Sequence, residues 1–220
     1  MSYNSGGRIV SDGLVMYLDA ANRKSFVSGS TIWRDLSGNN NSGSLTNGPT
    51  FSSANGGSIL FDGNNDYAPI GTSGFPFGSS AGTLSAWAKV NTISGNYIWI
   101  VSYGTANGSQ SRFIGIQGGV YYFGGYGNDI TANGVTSNTW FNMVGVYNGA
   151  NASMYINGVL VSGPTPKSWN TVANNAQIGR QTSGIEYWNG NIAQVSIYNR
   201  ALSAAEILNN YNVTKKRFGL

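Results

Sequence analysis

The segment Trp188–Tyr211, WNGNIAQVSIYNRALSAAEILNNY, constrains the fold more than any other, because one alternating strand runs directly into one capped helix. Ile192, Gln194, Ser196 and Tyr198 fall on one side of such a strand, and Ala193, Val195, Ile197 and Asn199 on the other. The period then changes. Ser203 with Glu206 three residues later is a capping box, after which Ala205, Leu208 and Tyr211, or Ile207 and Tyr211, recur at helical spacing. No other stretch carries a comparable helical signature.

What precedes this segment reads as strands and turns. Leu14–Ala20 is a first strand, and Trp33–Gly38 opens a long polar connection. Ser58–Asp62 and Tyr67–Gly71 flank the tight turn Gly63–Asp66, as a hairpin or a corner. Thr83–Val90, Tyr97–Tyr103, Arg112–Ile116, Trp140–Tyr147 and Ser153–Val161 continue the series. Asn157-Gly158 is the strongest hairpin signal in the chain, since both central residues of a type I′ turn need positive φ. With no linker, fixed-period repeat or heptad, the expectation is one antiparallel two-sheet sandwich over 1–220. Its core lies at about 8–211, followed by a short tail, 212–220. The cluster Lys215, Lys216, Arg217 is then either a solvated tail or a contact for an acidic partner surface.

Composition removes whole classes of chemistry. The 220 residues contain no cysteine and no histidine, so disulfides, thiolate metal sites and any mechanism with an imidazole base are excluded within this polypeptide. Glycosidases need two carboxylates flanking the scissile bond, and the chain has only eight acids. Glu206 is used by its cap and Glu186 stands alone beside Tyr187 and Trp188, so a dyad would have to come from unrelated loops; no enzyme is expected. The net charge is +4, but the basic residues are scattered and form no stripe for nucleic acid. No apolar run is long enough to cross a bilayer.

Charged residues make up 9% of the chain, against roughly 25% in ordinary soluble domains. Polarity comes instead from Asn, Ser, Thr and Gly, a surface that suits a secreted or particle-borne β protein. Residues 1–13 lack a secretion signal, so the product is expected to be made in the cytoplasm. Both traits together fit a component of a virus particle assembled inside its host.

Two sets of residues are candidates for contact. Tyr121, Tyr122 and Tyr126, among the glycines of Gly118–Asp129, and Trp169, in the polar Pro-containing loop Gly163–Thr171, offer aromatic faces to a glycan or a protein partner, or else pack as core. Asp62, Asn64 and Asp66, with Asn65, offer oxygens to a calcium ion, as do Asn128 and Asp129; the alternative is a hydrogen-bonded corner.

Several segments, in order, resemble the laminin-G-like branch of the concanavalin A-like lectin/glucanase superfamily. They are Gly13–Phe26, Trp33–Leu45, Phe61–Tyr67, Thr83–Val90, Met154–Val161, Ala176–Arg180 and the closing strand and helix. The resemblance implies an all-β jelly-roll sandwich with one short C-terminal helix, used for binding, adhesion or assembly, sometimes with calcium at one rim. Ala193 and Gln194 stand where many relatives have an acidic residue, which puts any carboxylate role there in doubt, and the Glu-x-Asp-x-x-Glu strand of the glucanase branch is missing. The opening MSYNSGGRIV and closing RFGL are also similar to short proteins of tailed bacteriophages, marine ones included. That similarity implies a virion structural protein on head or tail, with other virion proteins and host polysaccharide as partners and self-association as a further expectation.

Overall fold

A computed structural model describes residues 7–220; Met1–Gly6, which carry most of the phage-like opening, lie outside the described residues. The strands in chain order are β1 Leu14–Asp19, β2 Ile32–Trp33, β3 Gly43–Ser44, β4 Thr50–Ser52, β5 Ser58–Asp62, β6 Ala68–Ile70, β7 Gly82–Val90 and β8 Tyr97–Gly104. They continue as β9 Ser111–Gln117, β10 Val120–Gly124, β11 Ile130–Asn133, β12 Trp140–Tyr147, β13 Asn151–Ile156, β14 Val159–Pro166, β15 Ala176–Ile178 and β16 Asn189–Tyr198, before helix α1, Ala204–Thr214.

Two antiparallel sheets pack face to face. The back sheet runs β14-β13-β12-β7-β16-β5-β4, with β1 also on β16, and the front sheet runs β11-β10-β9-β8-β15-β6-β3-β2. The architecture is the all-β jelly-roll sandwich with one short C-terminal helix. Inward residues of the two sheets, among them Met16, Leu18, Phe61, Leu84, Met143 and Ile197 from the back and Ile98, Val101, Ile114, Phe123 and Ile178 from the front, form one continuous core. The turn at Gly63–Asp66 is a corner and not a hairpin, because β5 and β6 belong to different sheets. Asn157-Gly158 does close a hairpin, with φ of 52° and 79°.

Strand β16 explains why its alternation looked two-sided. One edge pairs with β7 along its length, while the other pairs with β5 at Asn189–Ile192 and then with β1 at Gln194–Tyr198. A register shift against β7 falls at the same place, between Ile192 and Gln194. Its outer face is buried as well as its inner one, because α1 lies over it. Ser203 Oγ accepts from the Glu206 N–H, and the Glu206 carboxylate accepts from the Ser203 N–H at 2.8 Å, so the capping box forms as expected. Ile207 then joins Val144, Val146, Tyr198 and Leu202 in a second apolar cluster beneath the helix. Gln194, also on this face, donates to Asp19 Oδ2 at 2.9 Å.

The expected tail is a correction. Lys215–Phe218 forms a 3-10 turn that folds back onto the back sheet. Phe218 is buried against Trp87, ring centroids 4.0 Å apart, and Arg217 pairs with Asp19 at 2.6 Å while donating to the main-chain oxygens of Asn55 and Gly57. Three basic residues in a row read as a solvated segment; the aromatic residue after them and the half-buried Asp19 carboxylate opposite decide otherwise.

Candidate functional site

The outer face of the front sheet is built by alternation. On β8, Ile98, Val101 and Tyr103 enter the core while Tyr97 and Trp99 point away from it; on β9, Ile114 and Ile116 enter while Phe113, Gly115 and Gln117 point outward. Gly115 lies directly opposite Trp99, and a Cβ there would come within 2.5 Å of the indole, so only glycine lets that ring lie flat across the neighbouring strand. The result is a continuous aromatic ladder. Tyr97 stacks on Trp99 at 5.5 Å and 9°, Trp99 meets Phe113 at 4.1 Å, and Tyr122 from β10 meets Tyr97 edge-on at 5.3 Å.

Two loops form the rim over this ladder. The β10–β11 connection supplies Tyr126 and Asp129, and the β15–β16 connection supplies Gln181 and Glu186. Tyr126 at φ 58° and Glu186 at φ 62° are both left-handed non-glycine residues. Each such residue costs about 1–2 kcal/mol, and here the two flank one cleft. Glu186 Oε2 accepts from the Trp99 indole N–H and, at 2.7 Å, from Gln181 Nε2. Asp129 Oδ1 accepts from the Gly125 N–H at 3.0 Å, and Lys167 Nζ donates to the Asp129 main-chain oxygen at 2.8 Å. Burial holds both carboxyl groups above their ordinary range, opposed by these donors.

Together these residues enclose a cavity of about 230 Å³ lined by Tyr97, Trp99, Phe113, Tyr126, Gly127, Asp129, Gln181 and Glu186. Beside it a second cavity of about 390 Å³, polar in character, is lined by Gly63, Thr92, Ser94, Asn96, Ile98, Tyr187 and Asn189, and Tyr97 and Glu186 are common to both. Ring faces next to hydroxyl and amide groups can bind a ligand that has one apolar and one hydroxylated side.

The structure divides the aromatic residues singled out in the sequence. Tyr122 is half-buried on the ladder, with its hydroxyl donating to Gln117 Oε1 at 3.1 Å, and Tyr126 stands on the rim, 42% exposed. Tyr121 and Trp169 are corrections. Tyr121 shares its strand parity with Phe123, so it faces inward, 4% exposed against the Phe141 ring. Trp169 is 1% exposed and fills the space between the sheets, touching Phe123 of the front and Tyr147 of the back and donating to the Asn128 main-chain oxygen at 2.8 Å. Tyr97, Trp99, Phe113 and Gln181 carry no distinguishing mark in the sequence, and Glu186 stands out there only as a lone carboxylate. The available signal was the spacing of Tyr97, Trp99 and Tyr103 within a run apolar on both faces, which does not say which face stays open.

At the other candidate site, Asp62 Oδ1 accepts from the N–H groups of Asn64 at 2.8 Å and Asn65 at 3.3 Å, and Asp66 Oδ2 from the N–H of Asp62 at 3.0 Å. The Asn64 N–H holds the Asp62 carboxyl below its usual range, whereas burial raises that of Asp66. These carboxylates hold a hydrogen-bonded corner, and among the described residues no three acidic side chains gather.

Comparison with known proteins agrees with this fold. A family model described as the concanavalin A-like lectin/glucanases superfamily matches residues 62–208, more than half of the chain. No curated protein matches it in sequence. Among solved structures, the binding domain of Paraclostridial Mosquitocidal Protein 1 superposes with a TM-score of 0.70 at 20% identity, covering 92% of this chain and 52% of that one. Domain 4 of the extracellular arabinanase AbnA from Geobacillus stearothermophilus, in complex with arabinotriose, gives 0.65 at 13% identity over 91% and 98%. The botulinum neurotoxin serotype D binding domain gives 0.67 at 16% identity over 92% and 52%, so the chain spans about half the length of both toxin binding domains.

Proposed function

We propose that this chain, which belongs to the concanavalin A-like lectin/glucanases superfamily, is a non-enzymatic, lectin-like adhesion module that holds glycans in the aromatic cleft of its front sheet. One observation carries this reading: the chain covers the outer face of its back sheet with its own helix, while on the front a cavity remains between half-buried Tyr97, exposed Tyr126 and the buried rings of Trp99 and Phe113. Stacked rings bind the apolar face of a sugar, and the neighbouring amides and hydroxyls take its hydroxyl groups. The arabinotriose complex of one similar fold supports the same use of the scaffold.

Asp129 and Glu186 come from unrelated loops to one cleft, an arrangement in which a glycosidase could be sought. An acid–base pair needs environments that push its two groups apart, whereas burial pushes both of these the same way and fixed donors occupy an oxygen of each. This supports a cleft that binds without cleaving.

The module's setting belongs to the same proposal. A low-charge surface rich in Asn, Ser and Gly, and the similarity of the chain's two ends to short phage proteins, support a jelly roll displayed on a virus head or tail. There it contacts other virion proteins and reaches host polysaccharide. A cell-surface adhesin is the alternative setting for the same cleft. An inventory of purified particles by mass spectrometry separates the two, and absence of the chain from virions overturns the first. The cleft itself is tested on a glycan array with Tyr97→Ala and Tyr126→Ala, each expected to lose the signal. A chelator arm tests whether an ion at Asp62 and Asp66 contributes, and reducing ends released from β-glucan would overturn the non-enzymatic reading.

A further inference from the structure

We infer that the cleft selects sugars bearing a protonated amino group over neutral and acidic ones; this rests on the proposed glycan role and narrows its ligand. Two carboxylates, Glu186 and Asp129, and the rings of Tyr97, Trp99 and Tyr126 line the cavity, and no lysine or arginine does. The neighbouring cations are turned elsewhere. Lys167 Nζ is engaged by Asn128 Oδ1 and the Asp129 main-chain oxygen, and the Arg180 guanidinium lies over the Tyr67 ring at 3.3 Å and donates to the Tyr187 hydroxyl.

Glu186 keeps one carboxylate oxygen without a protein donor among the described residues. Both of its protein donors converge on Oε2, and among the described residues none is recorded on Oε1. A ligand ammonium placed there makes a charge-assisted hydrogen bond within a cavity that the Tyr97, Trp99 and Tyr126 rings also line. It also relieves the burial that keeps both carboxyl groups above their ordinary range, because a cation restores to the ionised forms the partner that water would otherwise supply. An acidic sugar meets two like charges and a neutral one adds no counter-charge, so the same side chains favour the amine-bearing class over the others. At about 230 Å³ the aromatic cavity falls below the roughly 300–1,000 Å³ of sites for drug-sized ligands, a size for a single ring, with the adjoining polar cavity free for the next unit.

The experiment is calorimetric titration of the whole chain with three trisaccharides of equal linkage that carry an amine, an acetamide or a hydroxyl at carbon 2, at a pH where the amine is protonated. The amine-bearing sugar is expected to bind at least about tenfold tighter than the others. Glu186→Gln, which keeps an oxygen acceptor for Trp99 and Gln181, is expected to abolish that preference, bringing the amine-bearing and hydroxyl-bearing sugars to within about twofold of each other. Equal binding of all three would overturn the amine selectivity and leave the glycan role standing. A preference that survives Glu186→Gln would overturn the assignment to this carboxylate. Silence toward all three here and toward every glycan on the array would overturn both readings.

Discussion

Trp87 and Trp99 hold equivalent places on the two sheets, yet the chain treats them in opposite ways. Each points outward from a central strand, stacks on aromatic neighbours and donates its indole N–H to one polar side chain, Thr214 Oγ1 at 2.9 Å for Trp87 and Glu186 for Trp99. Over Trp87 the cover is a capped helix and a 3-10 turn, which bring Tyr211 to 5.8 Å and Phe218 to 4.0 Å. Over Trp99 the cover is two loops with left-handed Tyr126 and Glu186, and a cavity remains beneath them. Regular, unstrained structure closes one face for stability. The other face is held partly open at a conformational cost, which is the pattern expected where local rules give way to binding.

Substitutions at the two tryptophans should break the symmetry most strongly. Trp87→Ala is expected to destabilise the fold by about 3–5 kcal/mol in chemical denaturation, since it empties the space that Phe218 and Tyr211 pack against, while any ligand affinity of the folded fraction is retained. If Trp99→Ala left glycan affinity intact, the functional half of the comparison would fail. Ser203→Ala removes the cap of the covering helix and should cost about 1 kcal/mol, read as a lower denaturation midpoint with cleft binding unaffected.

Acidity separates the two covers by sign. Glu206 is held down at about 2, first by its hydrogen bond to Arg200 and then by the Ser203 N–H. Its contribution is complete above its ordinary 4.5 and is lost as pH falls toward about 2, so the destabilisation caused by Glu206→Gln should shrink over that window. Glu186 is raised by burial; its ionisation begins to cost stability as pH climbs past the ordinary 4.5 and costs most once its higher folded value is passed. Glu186→Gln should therefore raise the thermal midpoint at neutral pH, with the gain vanishing below 4.5. Parallel pH profiles for the two variants would contradict this opposition. The smallest stability change is expected for Tyr126→Gly. Relief of a left-handed side chain and loss of a half-exposed ring offset each other to within about 1 kcal/mol, while the binding signal disappears.

What the sequence made legible was local. Ser203 and Glu206 announce the helix start, and Asn157-Gly158 announces its hairpin, because each signal is complete within a few residues. The two-sheet sandwich followed from alternation and recurring turns. The cleft was half legible. Tyr122 and Tyr126 drew attention through their glycine-rich setting, but Trp99 lies in a strand buried on both sides, and the cavity beside it depends on what crosses it from residues 126 and 186. Nor does the sequence indicate that Glu186 takes a backbone conformation rare for glutamate. Trp169 misled for the converse reason: a polar, proline-containing loop suggests solvent, while the gap between the sheets at that end needs a large ring.

The first described residues lie along the closing helix, where Val10 N donates to Asn210 Oδ1 at 2.8 Å and Asn209 Nδ2 donates to the Arg8 oxygen at 3.1 Å, and the last residues fold onto the same sheet. Residues 8–10 and 217–218 thus share the flank remote from the aromatic ladder. A body that grips the sandwich by this flank would stand behind it as a mount, and the cleft would face outward toward whatever surface approaches.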